Sequence, residues 1–375
     1  MAVRGLEPAR HRPGAAVLNV LFLSEGAQVG GAEADILRLA EELRARGHGA
    51  VIGAFGEPFL REARAHGHRT LSVPRGVRLI AGMRAIARAA REHAIDVVNA
   101  QSLRMTALAG GARRLRLLRA GLVTTIHNVA DRSNDRFAKP ILGWLPDELV
   151  FVSRFERSRL AELWGSERGE VIYSGVELPA PGSLEPLDLT TLHGVPPDAR
   201  VLGYVGRLAP EKAVGDAIAA LPRLPEDVVL CIVGEGPEEG ALRAETHRRN
   251  LERRVVFAGF SREVGRYMAS FVGLVLPSRR EALPVVLREA AAIGLPVVAA
   301  DVGGVREIVV PRETGLLYPS GDVDGLVRAI RSLLDDPSRA ATMGCAARER
   351  VARLFDPKHW ADETEALLAR VARGA

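Results

Sequence analysis

Short apolar runs alternate with helix-period segments along this chain, and they do so twice, on either side of a stretch without periodicity. The first round opens with an expected strand, Val17–Ser24, and a helix from about Ala32 to Arg46 that carries Ile36, Leu37, Leu39, Ala40 and Leu43 on one side. It continues through Ala50–Ala54, Arg69–Val73, Val77–Glu92, Val97–Ala100, Thr106–Arg119, Leu122–Ile126, Asn134–Trp144, Glu148–Val152, Phe155–Leu163 and Glu170–Tyr173. The second round reads Val201–Val205, Val214–Leu221, Val228–Val233, Glu238–Arg249, Val255–Phe257 and Glu263–Ala269. It ends in a strand–helix–strand unit running from Leu274–Leu276 to Pro296–Ala300. Apolar strands that alternate with helices are buried on both faces of a parallel sheet. The expected fold class is therefore α/β, with two doubly wound parallel-sheet domains.

Leu178–Pro197 separates the two rounds. It is rich in proline and small or polar residues and is expected to be a linker. This gives a tail over 1–15, a first domain over 16–177, a linker over 178–197 and a second domain over 198–357. A length of 375 residues suits two cores. Met1–Gly14 is polar and arginine-rich, without the apolar run of a signal peptide, and no run of about 18 apolar residues follows. The tail is expected to be disordered. Cys231 and Cys345 form no metal-ligand or disulfide pattern, so a reducing, cytoplasmic setting is expected.

Charge is uneven. Residues 1–175 hold 26 basic and 18 acidic residues, and the remainder holds 25 and 28. Arg113, Arg114, Arg116 and Arg119 gather at one expected helix end with leucines between them. Two readings stay open there: a solvated face, or a peripheral contact with an anionic membrane, worth roughly 1 kcal/mol per well-placed cation. No zinc finger, RNA-binding sheet signature or aromatic stacking pattern points to nucleic acid.

Several short patterns carry chemistry. Pro284 suits a first helical position, which leaves the amides of Val285 and Val286 pointing out of a helix start that attracts phosphate. Glu289, four residues after Val285, shares its face, and Glu281 lies in the loop before. Carboxylates flanking a phosphate site repel it unless they bind something else, and sugar or ribose hydroxyls are the natural partners. Two solvated acids remain the plain alternative. After the strand Val201–Val205 come Arg207 and Lys212, one of only three lysines in the chain. They read either as a phosphate grip or as two exposed cations. His127-Asn128 follows Leu122–Ile126, at the strand edge where such sheets bind ligands, but a lone histidine there is often structural. Gly26–Gly31 lets a ligand come close to backbone, yet the acidic residue of a dinucleotide site is missing after Val51–Ala54. Gly234-Glu235-Gly236 hints weakly at a nucleotide turn. Asp322-Val323-Asp324 resembles a metal pair but reads better as a helix N-cap, so no metal or other cofactor is expected.

The densest stretch, residues 274–308, resembles the signature of glycosyltransferase family 4, retaining enzymes of the GT-B fold. Glu281 and Glu289 stand eight apart around Leu283-Pro284, before an alanine-rich helix, Gly294-Leu295-Pro296 and Gly303-Gly304. Gly30-Gly31-Ala32-Glu33, Gly206-Arg207 with Lys212, and the segment Val171–Val176 resemble further family motifs in the family's order, so the likeness covers nearly the whole chain after Val17. Ala282 and Ala213 stand where glycine is usual, and Ser174 where asparagine is. The resemblance implies transfer of a sugar from a nucleotide-diphosphate donor to a saccharide, lipid or small-molecule acceptor, in polysaccharide, glycolipid or glycoconjugate biosynthesis. It implies Arg207 and Lys212 on the diphosphate, Glu281 on the donor sugar and Glu289 on the ribose. It further implies His127 beside the sugar, Gly30 and Gly31 near the diphosphate, and Gly259 with Phe260 at the base. It also implies that a last helix, 358–375, returns to the first domain. A GT-B nucleotide-sugar epimerase and a non-catalytic sugar-nucleotide-binding subunit are the alternatives.

Overall fold

The computed structural model describes residues 17–26, 30–75, 79–127, 132–165 and 167–374, with backbone alone for 132–137 and 164. The expected tail, residues 27–29 of the glycine loop and Asn128 lie outside them. The chain divides into two units. One holds the described residues up to Gly175 together with those from Pro357 onward, and the other is Val176–Asp356.

The first unit carries β1 (Asn19–Ser24), β2 (Gly49–Ala54), β3 (Arg69–Ser72), β4 (Val97–Ala100), β5 (Gly121–Ile126), β6 (Glu148–Phe151) and β7 (Glu170–Val171). They pair in the order β3-β2-β1-β4-β5-β6-β7, all parallel. The order reverses between β1 and β4, so the loops after these two strands diverge and leave room for a ligand. One face packs on the helix Gly31–Ala45 and on the last helix, Pro357–Arg373. Leu367, Leu368 and Val371 join Val20, Phe22 and Val123 in one core cluster. Fully burying one leucine contributes roughly 1.5–3 kcal/mol. Arg46 reinforces the return by pairing with Asp362 and Glu365.

The second unit carries β8 (Arg200–Val205), β9 (Val228–Val233), β10 (Val255–Gly259), β11 (Gly273–Leu276), β12 (Val297–Ala300) and β13 (Leu316–Tyr318). The order is β10-β9-β8-β11-β12-β13, again parallel, with its switch between β8 and β11. The central strands are uniformly buried, as their continuous apolar runs require.

Four expectations change. The stretch 178–197, expected as a linker, packs on the second unit. Its short helix Leu189–His193 is capped by Asp188, Leu189 and Val195 are buried, and Ser270 bonds both the amide and the carbonyl of Leu187. Prolines conceal that docking from any periodicity. A helix, Glu57–Ala65, fills a gap in the expected list, and buries Phe59, Leu60 and Ala63. The helix expected to reach Arg119 is Leu103–Arg114, and Arg116 sits beyond it with a left-handed φ of 57°. Pro284 is the N-cap of the helix Val285–Ala292, one position before the expected one.

Candidate functional site

In the second unit the two loops at the switch point are joined directly. After β8 the chain makes a turn of 3-10 helix, Pro210–Lys212. After β11 it runs through Ser278, Arg279 and Glu281 to the N-cap Pro284. The Lys212 ammonium donates to Glu281 Oε1 at 2.7 Å, and the Ser278 hydroxyl donates to the same oxygen at 2.6 Å. Glu281 is only 8% exposed, and Ser278 is fully buried. A carboxylate that deep needs both donors, since an unpaired buried charge is costly. Two further ties hold the loops in register. The Arg279 amide donates to the Glu211 carbonyl at 2.7 Å, and its guanidinium forks onto both oxygens of Asp216 at 2.6 and 3.0 Å. Such a bidentate fork fixes orientation as well as charge.

Lys212 and Glu281, read from the sequence as separate groups, therefore form one unit. Arg207 lies on the same loop, is half exposed and pairs with Glu211. Beneath it the Tyr204 phenol donates to the Arg207 carbonyl at 2.9 Å. Burial, and then the carboxylates of Glu281 and Glu211, push that phenol far up. It stays a neutral donor at any physiological pH and acts as a fixed strut under the loop.

Ala213 shows how this turn tolerates its departure from glycine. It keeps the left-handed conformation, φ 49° and ψ 39°, as cap of the 3-10 turn. An L-residue there costs roughly 1–2 kcal/mol, part of which glycine loses again to unfolded-state entropy. Ala213→Gly is expected to stabilise the protein by about 0.5–1 kcal/mol, raising the thermal midpoint by a degree or more. A lower midpoint in a thermal melt would contradict that account of the turn.

The helix Val285–Ala292 begins at the end of the Glu281 loop. The amides of Val285 and Val286 belong to its first turn, where no acceptor lies four residues back. Leu283 and Pro284 are buried, whereas Val285, Val286 and Glu289 are half-buried on the shared face that the sequence predicts. Gly259, with φ 72°, ends β10, and the adjacent Phe260 is 58% exposed. The Phe260 amide faces the Glu235 carboxylate at 3.4 Å.

The glycines around this site serve close backbone approach. A Cβ on Gly236 would lie 2.2 Å from the Leu208 carbonyl oxygen, and one on Gly234 2.0 Å from that of Gly206. Gly234-Glu235-Gly236, read as a hint of a nucleotide turn, is thus explained by packing against the Arg207 loop. Asp322 caps the helix Val323–Asp335 by accepting from the Gly325 amide at 2.8 Å, while Asp324 pairs with Arg223. Among the described residues no cluster of three His, Cys, Asp or Glu side chains is arranged to hold a metal.

In the first unit, Gly30 is the exposed N-cap of the helix Gly31–Ala45, and Gly31 opens that helix. Glu33 folds back to accept from the Gly30 amide at 3.2 Å and from the Ser24 hydroxyl at 2.8 Å, which ties the helix start to the end of β1. His127, directly after β5, is half-buried, and its Nε2 lies 2.5 Å from Gln101 Oε1. Gln101 follows β4 and passes the bonding inward: its amide donates to Asn99 Oδ1 at 3.0 Å, where Thr125 also donates at 2.9 Å. These four residues line a recess of about 20 Å³, together with Asp35, the buried Ser174 and Trp360. That is room for a single water. Nothing local in the sequence singles out Asn99 or Ser278, and Gln101 only weakly. The signal for Gln101 is that it directly follows β4, the strand beside the one that His127 follows.

Of the four arginines at the other end of this unit, Arg113 pairs with Asp147 at 2.7 Å and Arg114 donates to the Trp144 carbonyl at 3.3 Å. Arg116 and Arg119 are exposed, beside the exposed Leu115 and Leu117. No helix among the described residues is long and apolar enough to cross a membrane.

Comparison with known proteins decides the family. The model of the glycosyl transferases group 1 matches residues 192–350, and that of glycosyltransferase family 4 matches residues 29–179. The chain belongs to the group 1, family 4 glycosyltransferases. Its two parallel sheets make this glycosyltransferase a GT-B protein. Over 176 residues it is 39% identical to glycogen synthase of Mycobacterium tuberculosis, a match that covers 46% of this chain and 42% of the relative. It is 34% identical over 230 residues to a GDP-mannose-dependent phosphatidylinositol monomannoside mannosyltransferase of Mycolicibacterium smegmatis, covering 57% of each. The chain thus spans about half the length of these curated relatives. Among solved structures, Anabaena HepE in complex with UDP and glucose superposes with a TM-score of 0.85 and 25% identity, over 94% of this chain and 99% of HepE.

Proposed function

We propose that this glycosyltransferase moves a sugar, with retention and without a metal, from a nucleotide-diphosphate donor to a saccharide, lipid or small-molecule acceptor. The observation that carries the reading is the Lys212–Glu281–Ser278 constellation, set at the β8/β11 switch point just before the helix Val285–Ala292. A departing diphosphate needs positive charge and preorganised donors. Arg207, Lys212 and the Val285 and Val286 amides supply them, so no divalent ion is required. Glu281 accepts from the donor sugar's hydroxyls and Glu289 from those of the ribose. The exposed Phe260 ring and the Gly259 backbone take the base, His127 faces the sugar, and Gly30 and Gly31 approach the diphosphate. The leaving phosphate itself takes the acceptor's proton, since Glu281 is already held by two donors and is poorly placed as a nucleophile.

Relatives support the donor class. HepE is described with UDP-glucose bound, and the mannosyltransferase depends on GDP-mannose. The deciding experiment incubates the protein with UDP-glucose, GDP-mannose and further nucleotide sugars, with and without sugar and lipid acceptors, and follows products by mass spectrometry and anomeric proton couplings. Transfer with retained configuration is expected, and it should persist in EDTA. Complete loss in EDTA that Mn²⁺ or Mg²⁺ restores would overturn the metal-free reading. A new nucleotide-sugar isomer without transfer would mark an epimerase, and binding without turnover a non-catalytic subunit. We propose in addition that Arg116 and Arg119, flanked by Leu115 and Leu117, hold the protein peripherally to an anionic membrane in the cytoplasm.

A further inference from the structure

The polar ladder above β4 and β5 specifies one form of His127. Asn99, Gln101, Thr125 and His127 stand at alternating positions of two paired strands and their extensions, with Asn99 opposite Val123. Alternation turns all four toward the same face of the sheet. At the buried end, Asn99 is 2% exposed and its Oδ1 accepts from both Thr125 and Gln101. With its NH2 group committed to Asn99, Gln101 turns its carbonyl oxygen toward His127. An amide oxygen has no proton to give, so the bond to His127 Nε2 forms only if that nitrogen carries one.

We infer that Gln101 is a positioning residue that holds the His127 imidazole in its Nε2–H form. This makes Nδ1 the ring's acceptor atom whenever the ring is neutral. A neutral imidazole whose Nε2–H is engaged in this way meets a hydroxyl through a lone pair rather than through a proton. In the proposed function a sugar hydroxyl that meets this nitrogen is the donor of the bond, and the ring gains a second donor only on protonation. The consequence for a sugar rests on the proposed role of His127. The tautomer does not, and it is measured with no sugar present.

The test labels histidine with ¹⁵N and reads the two-bond proton–nitrogen correlations of the full-length protein above the range where imidazole titrates. His127 is assigned from the signal lost in His127→Asn. A single Nε2–H tautomer is expected in the wild type, and a mixture of tautomers in Gln101→Leu. Gln101→Glu keeps an oxygen at the same place, so it should keep the Nε2–H form. It should also move the pH at which the ring loses its second proton upward by about one unit, as an added neighbouring carboxylate does. In a transfer assay Gln101→Leu should lower kcat by roughly 10- to 100-fold, by analogy with removal of the partner that orients a metal-ligating histidine. The donor KM should stay within a few-fold, and Gln101→Glu should restore most of the rate above the pH where its ring titrates. An Nδ1–H tautomer in the wild type, or an unchanged tautomer and pH profile in Gln101→Leu, overturns the inference. If no donor is turned over, the proposed function fails while the tautomer measurement still decides the role of Gln101.

Discussion

Lys212→Ala is expected to reduce kcat/KM on the order of 10²- to 10³-fold, about 2.7–4 kcal/mol of transition-state stabilisation. Loss of the ammonium acts twice. It takes a cation from the departing diphosphate, and it leaves the Glu281 carboxylate, 8% exposed, with only the Ser278 hydroxyl at 2.6 Å among its two bonded donors. The second effect also lowers stability, by roughly 1–3 kcal/mol for a carboxylate that loses a charged partner. Glu281→Gln retains a group that can accept from Ser278, and it removes the charge that the ammonium balances. Because the two side chains touch at 2.7 Å, their effects on unfolding should not add. The double variant Lys212→Ala/Glu281→Gln should be more stable than the sum of the single changes implies, by about 1 kcal/mol or more. Equilibrium unfolding of the three variants, with kinetics on the donor that the wild type accepts, checks both parts. Strict additivity of stability, or near-wild-type turnover in Lys212→Ala, would remove the pair from the centre of the site.

The sequence reveals much of the frame, and for a physical reason. Strands buried on both faces have to be continuous apolar runs, so Val97–Ala100, Val228–Val233 and Leu274–Leu276 announce themselves. Positions at the ends of such strands inherit a place in the sheet, which sets Arg207, Lys212, Glu281 and His127 at carboxyl edges. What stays hidden is pairing across long sequence separation. Lys212 and Glu281 are 69 residues apart, and nothing local distinguishes two independent site residues from one ion pair. Asn99, Gln101 and Thr125 are hidden for a related reason. A polar side chain in a strand reads as exposed until its partner on the next strand is known. Docking of 178–197 is missed because its burial rests on single residues, Leu189 and Val195, in a proline-broken segment without a period. Glycines are the converse case, visible as letters but ambiguous in purpose. Gly234 and Gly236 look like a ligand turn, yet a neighbouring loop occupies the space that their side chains would fill.

Gly303 offers the sharpest test of that last point. It has φ 54°, in the left-handed region, and a Cβ built on it would lie 1.8 Å from the Glu281 carbonyl oxygen, where approaches under 3.0 Å essentially never occur. The adjacent Gly304 amide donates to the same oxygen at 3.2 Å, so the loop after β12 is pressed against the backbone that carries Glu281. Gly303→Ala therefore cannot be absorbed by rotating a flexible side chain. Either the loop after β12 withdraws and gives up that hydrogen bond, or Glu281 moves by about an ångström. Displacement on that scale is expected to cost on the order of 10²-fold in rate, because the Lys212–Glu281–Ser278 geometry depends on it. Stability should fall by roughly 1–3 kcal/mol from the strained conformation. Gly240→Ala is the matched control. Gly240 lies in the helix Glu239–Arg248 with nothing within 4 Å of the added Cβ, so the same methyl group there should be neutral or stabilising. Thermal unfolding and steady-state kinetics on both variants separate the outcomes. If Gly303→Ala melts with the wild type and turns over within a few-fold of it, the contact with Glu281 is not what holds the carboxylate in place.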